Sequence, residues 1–291
     1  MTDAPLPRRR VLAGLGSLGL ASIAGCNHSP ENDSGTASPT ADAGPIESVG
    51  FAGQDLVVGL HDDHAVERLN LIDPAGSTYR QATVAKGATT VRLQILDIND
   101  DVGGYEHYDP GTYELVAVHD GASTTQEIEL RPSLEIVDVE QYRDGKSRSL
   151  TKLEVEVKNT GPAPTWVHEI QYQNAPYPGA NVRHDELASV PQITSPRDEA
   201  ELIVEAGGSQ TYVGILTPFA YSSEDLQNCE GQIEMTVLVV VPYTDFIEQD
   251  IKATLGGNVE PTGYLDHQTC NEISVQLSDQ RTVTDSLLGG D

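Results

Sequence analysis

The chain has 291 residues, of which 38% are hydrophobic, enough to fill one large or two ordinary cores and too many for a disordered polymer. Its 45 acidic residues against 17 basic ones give a formal charge of −28, so no basic face of the kind phosphate neutralisation needs is visible and nucleic acid is not expected as a partner. Only five of the basic residues are Lys.

Arg8, Arg9 and Arg10 precede an apolar run from Val11 to Ile23 that Gly14, Gly16 and Gly19 dilute. Those 13 residues are too few for a bilayer span of about 20 helical positions, so residues 1–25 read as a secretion signal. "RRRVLAGLG" resembles the twin-arginine export signal, with Arg8 and Arg9 as the pair, although Pro7 stands where Ser or Thr is usual and Val11 where Phe is usual. "SIAGC" resembles a lipobox, which implies cleavage before Cys26 and a lipid on its thiol, making the membrane a partner. Residues 26–45 then form a lipidated tether without apolar period, expected to be disordered. Its Asn27 and Asn32 open the two Asn-x-Ser sequons of the chain and are the candidate glycosylation sites. Together with the acidic, Lys-poor composition, these features resemble exported lipoproteins of haloarchaea, whose charge is screened over about 3 Å at 1 M salt. The expected location is the extracellular face of the cell membrane.

Beyond residue 45 the apolar pattern has period two and is broken every 8 to 12 residues by turn signals, as in antiparallel sandwiches. "DLVVGL", "ERLNLID", "TVRLQIL", "TYELVAV" and "STTQEIEL" supply strands for a first domain over 46–131. No amphipathic helix of 12 residues follows the tether, which disfavours α/β folds and the nucleotide-binding enzymes built on them. In "DPGTYEL" the spacing Asp109-x-Gly111-x-Tyr113-x-Leu115 resembles the tyrosine corner of immunoglobulin-like domains, with Leu115 where the second disulfide Cys would be.

Arg131-Pro132 marks a joint, after which "SLEIVDVE" restarts the pattern and opens a larger domain over 132–280, with 281–291 as a flexible tail. Leu153, Val155 and Val157 fall on one strand face, which puts Glu154, Glu156 and Lys158 on the other. "VEVKNTGPAP" with "VEAGGSQTYVGIL" is similar to CARDB repeats, adhesion-type immunoglobulin-like modules of prokaryotic surface proteins. Residues 174–200 are long for a sandwich connection; with Tyr172 and Tyr177 they form the candidate binding loop, a plain solvated insertion being the alternative. Cys229 and Cys270 are the two thiols left after lipidation, and an exported chain favours joining them, with a metal pair as the weaker reading.

Chemistry-bearing motifs are sparse. "HDDH" places His61 and His64 beside two Asp, a metal-ligand composition that a charged hairpin tip also explains. "DINDDVG" spaces Asp97, Asn99 and Asp101 as calcium loops do, but lacks the Gly and the bidentate Glu of an EF-hand. Calcium is the cation this spacing would take; otherwise no cofactor is expected. Blue copper fails because no His follows either Cys at the required spacing. No nucleophile elbow, phosphate loop or zinc-protease helix is present, so no catalytic residue is assigned. The resulting expectation is an all-β protein of two immunoglobulin-like antiparallel β-sandwich domains. It would act without catalysis as a lipid-anchored binding, adhesion or envelope-structural module, with a cell-surface protein or glycan as partner. An accessory solute-binding lipoprotein and a surface-polymer hydrolase are the alternatives.

Overall fold

The computed structural model describes residues 44–98, 105–181, 191–263 and 266–278. Arg8, Arg9, Cys26, Asn27, Asn32, Asn99, Asp101 and the tail 281–291 lie outside the described residues. Strands dominate, and helical turns among the described residues are short 3-10 segments such as Ser147–Thr151.

The first strands are β1 (Ile46–Ala52), β2 (Asp55–Leu60), β3 (Val66–Ile72), β4 (Thr78–Thr83), β5 (Thr90–Gln94), β6 (Gly111–His119) and β7 (Ala122–Leu130). They form antiparallel sheets ordered β1-β2-β5 and β4-β3-β6-β7. Alternation is the reason: β2 buries Leu56, Val58 and Leu60, β5 buries Val91 and Leu93, and β6 buries Tyr113, Leu115 and Ala117. Burying one face of each sheet against the other removes these side chains from water, worth about 1.5–3 kcal/mol for each large aliphatic one. The Tyr113 hydroxyl donates to the Asp109 carbonyl at 3.0 Å, the upstream backbone bond of a tyrosine corner, and Leu115 is fully buried in the Cys position.

Pairing partners change at the Arg131-Pro132 joint. The later strands are β8 (Leu134–Gln141), β9 (Leu153–Asn159), β10 (Thr165–Trp166), β11 (Glu169–Gln173), β12 (Ile193–Ser195), β13 (Ile203–Val204), β14 (Ser209–Gly214), β15 (Tyr221–Ser222), β16 (Gln232–Val241), β17 (Thr244–Pro261) and β18 (His267–Leu277). One sheet runs β12-β14-β9-β8, another β11-β16-β17-β18-β15, and β10 pairs with β13. As the alternation requires, Leu153, Val155 and Val157 are fully buried while Glu154, Glu156 and Lys158 are not. The two motifs of the repeat resemblance are neighbours here: β14 lies antiparallel to β9 with Gln210 opposite Val157 and Tyr212 opposite Val155. The all-β sandwich expectation therefore holds.

A single residue closes the turn after β9. Asn159 is fully buried; its amide donates to the Ala163 and Val204 carbonyls at 2.8 and 3.2 Å and its carbonyl accepts from Ser133 N–H and Gly161 N–H at 3.1 and 3.0 Å. All four hydrogen-bonding positions of the amide are used, which is what makes burial of so polar a group tolerable. Gly161 must be Gly because a Cβ there would sit 2.4 Å from the Arg131 carbonyl oxygen and 2.5 Å from Ser133 N.

No strand ladder among the described residues crosses the joint, yet the described residues on its two sides pack as one compact unit. Aromatic side chains supply the contact. The buried Tyr108 hydroxyl donates to Pro164 O at 2.6 Å, and the His107 ring stacks on Tyr243 at 5.2 Å and meets the edge of Trp166 at 5.1 Å. His107 Nδ1 bonds the Tyr108 carbonyl at 2.6 Å, which can only accept, so Nδ1 carries the proton and Nε2 is the acceptor for the Thr165 hydroxyl at 2.9 Å. Burial pulls this imidazole down to about 4, the Tyr108 bond opposing the shift only in part. Because the folded value lies below the ordinary one, the unfolded chain binds the proton first. Stability from this group is full above about pH 6.5 and is lost as the pH falls toward 4, by about 3 kcal/mol. Denaturant titrations at pH 7 and pH 4.5 are expected to show this loss in the native sequence and a smaller one in His107→Gln; equal losses would remove His107 as the sensor.

Cys229 and Cys270 form a disulfide with an S–S distance of 2.18 Å, so the metal-pair reading of these thiols is set aside. The bond ties the segment before β16 to the middle of β18. Beside it, buried Gln141 at the end of β8 donates to the carbonyls of Cys270 and Leu150 at 2.9 and 2.8 Å, and its own carbonyl accepts from Ile273 N–H at 3.0 Å. The connection from β8 to β9 is thereby fastened to β18.

Candidate functional site

That connection builds one wall of a cleft of about 590 Å³ at the end of the second sandwich. Its sequence, "RDGKSRSLTK" over residues 143–152, holds four of the 17 basic residues of the chain within ten positions, a density that sets it apart from the acidic remainder. Asp144 and Gly145 make the turn: Gly145 takes a φ of 84°, and Asp144 Oδ1 accepts from Lys146 N–H at 3.0 Å. The Ser149 hydroxyl and then Lys146 hold the Asp144 carboxyl down to about 2. The following 3-10 turn is closed by Thr151, whose hydroxyl donates to Arg148 O at 2.7 Å, and by Lys152 N–H on Ser149 O at 3.0 Å.

The facing walls come from distant parts of the chain. Thr194, Ser195 and Arg197 arrive on and just after β12, Thr217 and Ala220 on the connection from β14 to β15, and Thr262, Gly263 and His267 at the β17–β18 hairpin. Tyr177 reaches in from the turn after β11, where Asn181 clamps the backbone by exchanging hydrogen bonds with Ala175 at 2.7 and 2.8 Å. Tyr177 N–H donates to Pro218 O at 3.1 Å and its ring meets His267 edge-on at 5.2 Å.

Lys146, Arg148, Lys152 and Arg197 face this space with Asp144 as the carboxylate among the described lining residues, formally +3 in a chain of −28. Lys152 lies deepest of the cations described by hydrogen bonds: Nζ donates to Thr194 Oγ1 at 2.7 Å and to Gly214 O at 3.0 Å. Burial, and then the nearby Arg148, lower its pKa, while Asp144 opposes them. A cation held partly out of water without a carboxylate on it carries an electrostatic cost that an arriving anion removes. Arg148 and Arg197 are exposed and make no ion pair among the described residues.

The strands that carry the cationic turn display the opposite charge. On β8 and β9, Asp138 stands directly opposite Glu156, and Glu140 opposite Glu154, with Thr211 of β14 beside them. Like charges in register destabilise a ladder. Burial, then Glu140 and Asp138, raise the pKa of Glu154.

Sites expected from sequence fare unevenly. Tyr172 is no binding residue: it lies on β11, opposite Val237, and is fully buried in the core. Tyr177, five residues on, does line the cleft. Residues 174–200 are not a plain loop, because Ile193–Ser195 adds the β12 strand to a sheet and brings Thr194 and Arg197 to the cleft. "HDDH" does not assemble a metal site. His64 uses both ring nitrogens, Nδ1 accepting from Val66 N–H at 3.0 Å and Nε2 donating to Ala88 O at 2.8 Å, so it caps a turn and has no lone pair for a cation. His61 is left without the companions a site needs, and no group of three or more His, Cys, Asp or Glu fit to hold a metal occurs among the described residues. Asp97 forms a β-bridge with Glu106, its backbone N–H and C=O both paired there at 2.8 and 2.9 Å. Asn99 and Asp101, which would complete the calcium spacing, lie outside the described residues. The cationic turn matches no motif, and the local density of basic residues is the one signal in the sequence that marks it.

No family model and no curated protein matches the chain. Among solved structures it is similar to "Biofilm associated protein - BSP domain" at 13% identity with a TM-score of 0.21, over 64% of this chain and 24% of that one. The chain thus spans about a quarter of the length of that structure.

Proposed function

We propose that this protein is an exported binding module of the cell surface, without catalytic chemistry, which takes its ligand in the cleft at the end of the second sandwich. The cleft carries the reading: about 590 Å³ of space, within the range of small-molecule sites, walled by segments that hydrogen bonds hold in place. Export and lipid attachment at Cys26 rest on the twin-arginine and lipobox resemblances. The Cys229–Cys270 bond is what an oxidising compartment permits. The opposed carboxylates of β8 and β9 suit a protein that folds in concentrated salt.

Binding is favoured over hydrolysis by how the polar groups are spent. The Thr151 hydroxyl is committed to Arg148 O, that of Thr194 to Gly214 O and that of Thr262 to His267 O. A glycosidase needs two converging carboxyl groups, and Asp144 has no carboxylate companion among the described lining residues. The solute-binding alternative is weakened by the all-β architecture, since such proteins usually pair α/β lobes.

Filling the cleft tests the reading. The full chain carrying Thr217→Trp is expected to melt within about 2 °C of the native sequence and to retain at least tenfold less surface glycan and protein from its own cells when immobilised. Undiminished retention would take the cleft out of binding, and release of cleaved fragments from the retained material would overturn the non-catalytic assignment.

A further inference from the structure

We infer that the cleft recognises an acidic sugar, a unit of sugar size bearing one or two carboxylate or sulfate groups, and that it does not take a polyelectrolyte. The inference rests on the binding function proposed above and specifies its ligand. Lys146 is already neutralised in place by Asp144 at 3.2 Å, which leaves Arg148, Lys152 and Arg197 to meet an acid group. Two of these are planar guanidinium forks without ion pairs among the described residues, the geometry that matches carboxylate and sulfate oxygens in pairs. Lys152 spends two of its three N–H groups on Thr194 and Gly214 and keeps the third.

The body of the ligand is indicated by what surrounds the cations. Tyr177 and Tyr142 bring to the lining the aromatic rings on which a pyranose stacks, and Thr217 adds a hydroxyl as a short polar partner. Its size is limited by charge outside the cleft. Glu140 precedes Arg143, the first residue of the cationic turn, by three positions and Glu154 follows Lys152 by two, each facing another carboxylate across the ladder. A long polyanion leaving the cleft along these strands would run against that row and against the −28 of the whole chain. A short acid, with its charge confined to the cleft, meets the cations alone.

Calorimetry on the full chain at fixed ionic strength separates the outcomes, with D-glucuronate, glucose 6-sulfate, glucose, inorganic sulfate and a long polyuronate as probes. One or both sugar acids are expected to bind at least tenfold more tightly than glucose, and sulfate is expected to compete with them. Arg148→Gln and Arg197→Gln, at exposed positions that leave the fold unchanged, are each expected to weaken the sugar acids about tenfold and glucose not at all. Polyuronate is expected to bind no more tightly per sugar unit than the free acid; tighter binding of the polymer would point to a surface-glycan chain and overturn the size limit. Glucose binding as well as glucuronate, with both Arg variants unaffected, would refute the acid requirement while leaving the cleft as a binding site. No heat with any sugar acid would refute the ligand class, and the Thr217→Trp retention experiment then decides separately whether the cleft binds at all.

Discussion

Replacing Asn159 with Ala is expected to destabilise the protein by roughly 3–5 kcal/mol, because it strands two buried carbonyls and the buried N–H of Gly161 at about 1–3 kcal/mol each before relaxation, and releases the part-buried N–H of Ser133. The partners belong to segments far apart in sequence: Ser133 at the joint, Gly161 and Ala163 in the turn, and Val204 on β13. Their simultaneous loss should loosen the joint as well as the turn. Denaturant midpoints should fall with little change in slope for a two-state loss. A loss below 1 kcal/mol would show that water takes over the role of the amide. Gly161→Ala gives an independent readout of the same contact, since its Cβ would press on the backbone of Arg131 and Ser133.

Breaking the disulfide is expected to have an effect of similar size by a different route. Joining residues separated by 41 positions restricts the unfolded chain by about 4 kcal/mol in the loop-entropy model. The paired Cys229→Ser and Cys270→Ser variant should lose about that much in denaturant titration. It should also show faster hydrogen exchange over residues 142–152, since Gln141 holds that connection to Cys270 O. Unchanged exchange there, alongside the lost stability, would show that Gln141 fastens the cleft wall without help from the bond.

How far the sequence could be read follows from where its signals lie. β2, β9 and β6 were plain because one face is buried and the other is not, which writes a period of two into the residues. β4, "TYRQAT", carries no such pattern; Tyr79 and Arg80 anchor it through side-chain bonds to the carbonyls of Ile95 and Gln94 at 2.7 and 2.6 Å. β11 misled in the other direction. Its "EIQYQ" looks half-solvated beside a proline-rich turn, yet Glu169 through Tyr172 are buried, with Gln171 Nε2 donating to Glu169 Oε2 at 2.9 Å. A buried strand that carries polar side chains has the composition of an exposed one, so Tyr172 cannot be told from a surface tyrosine by its neighbours in sequence. The disulfide was legible from the cysteine count together with the expectation of export. The cleft was not, because the meeting of Lys152 with Thr194 depends on β9, β14 and β12 lying side by side, and no local pattern encodes that adjacency.

The cationic turn also bears on how such a protein changes over generations. Arg148, Lys146 and their neighbours sit on a connection whose hold on the fold comes from Gln141 and Thr151, neither of which sets the charge. Swapping the exposed basic residues alters the charge of the cleft without touching a ladder hydrogen bond or a core side chain. The charge of the cleft is therefore free to change while the scaffold is kept. Under the proposed binding role, a chain with the same Asn, Gly and Gln anchors but a neutral or acidic sequence over 143–152 is expected to take a different molecule.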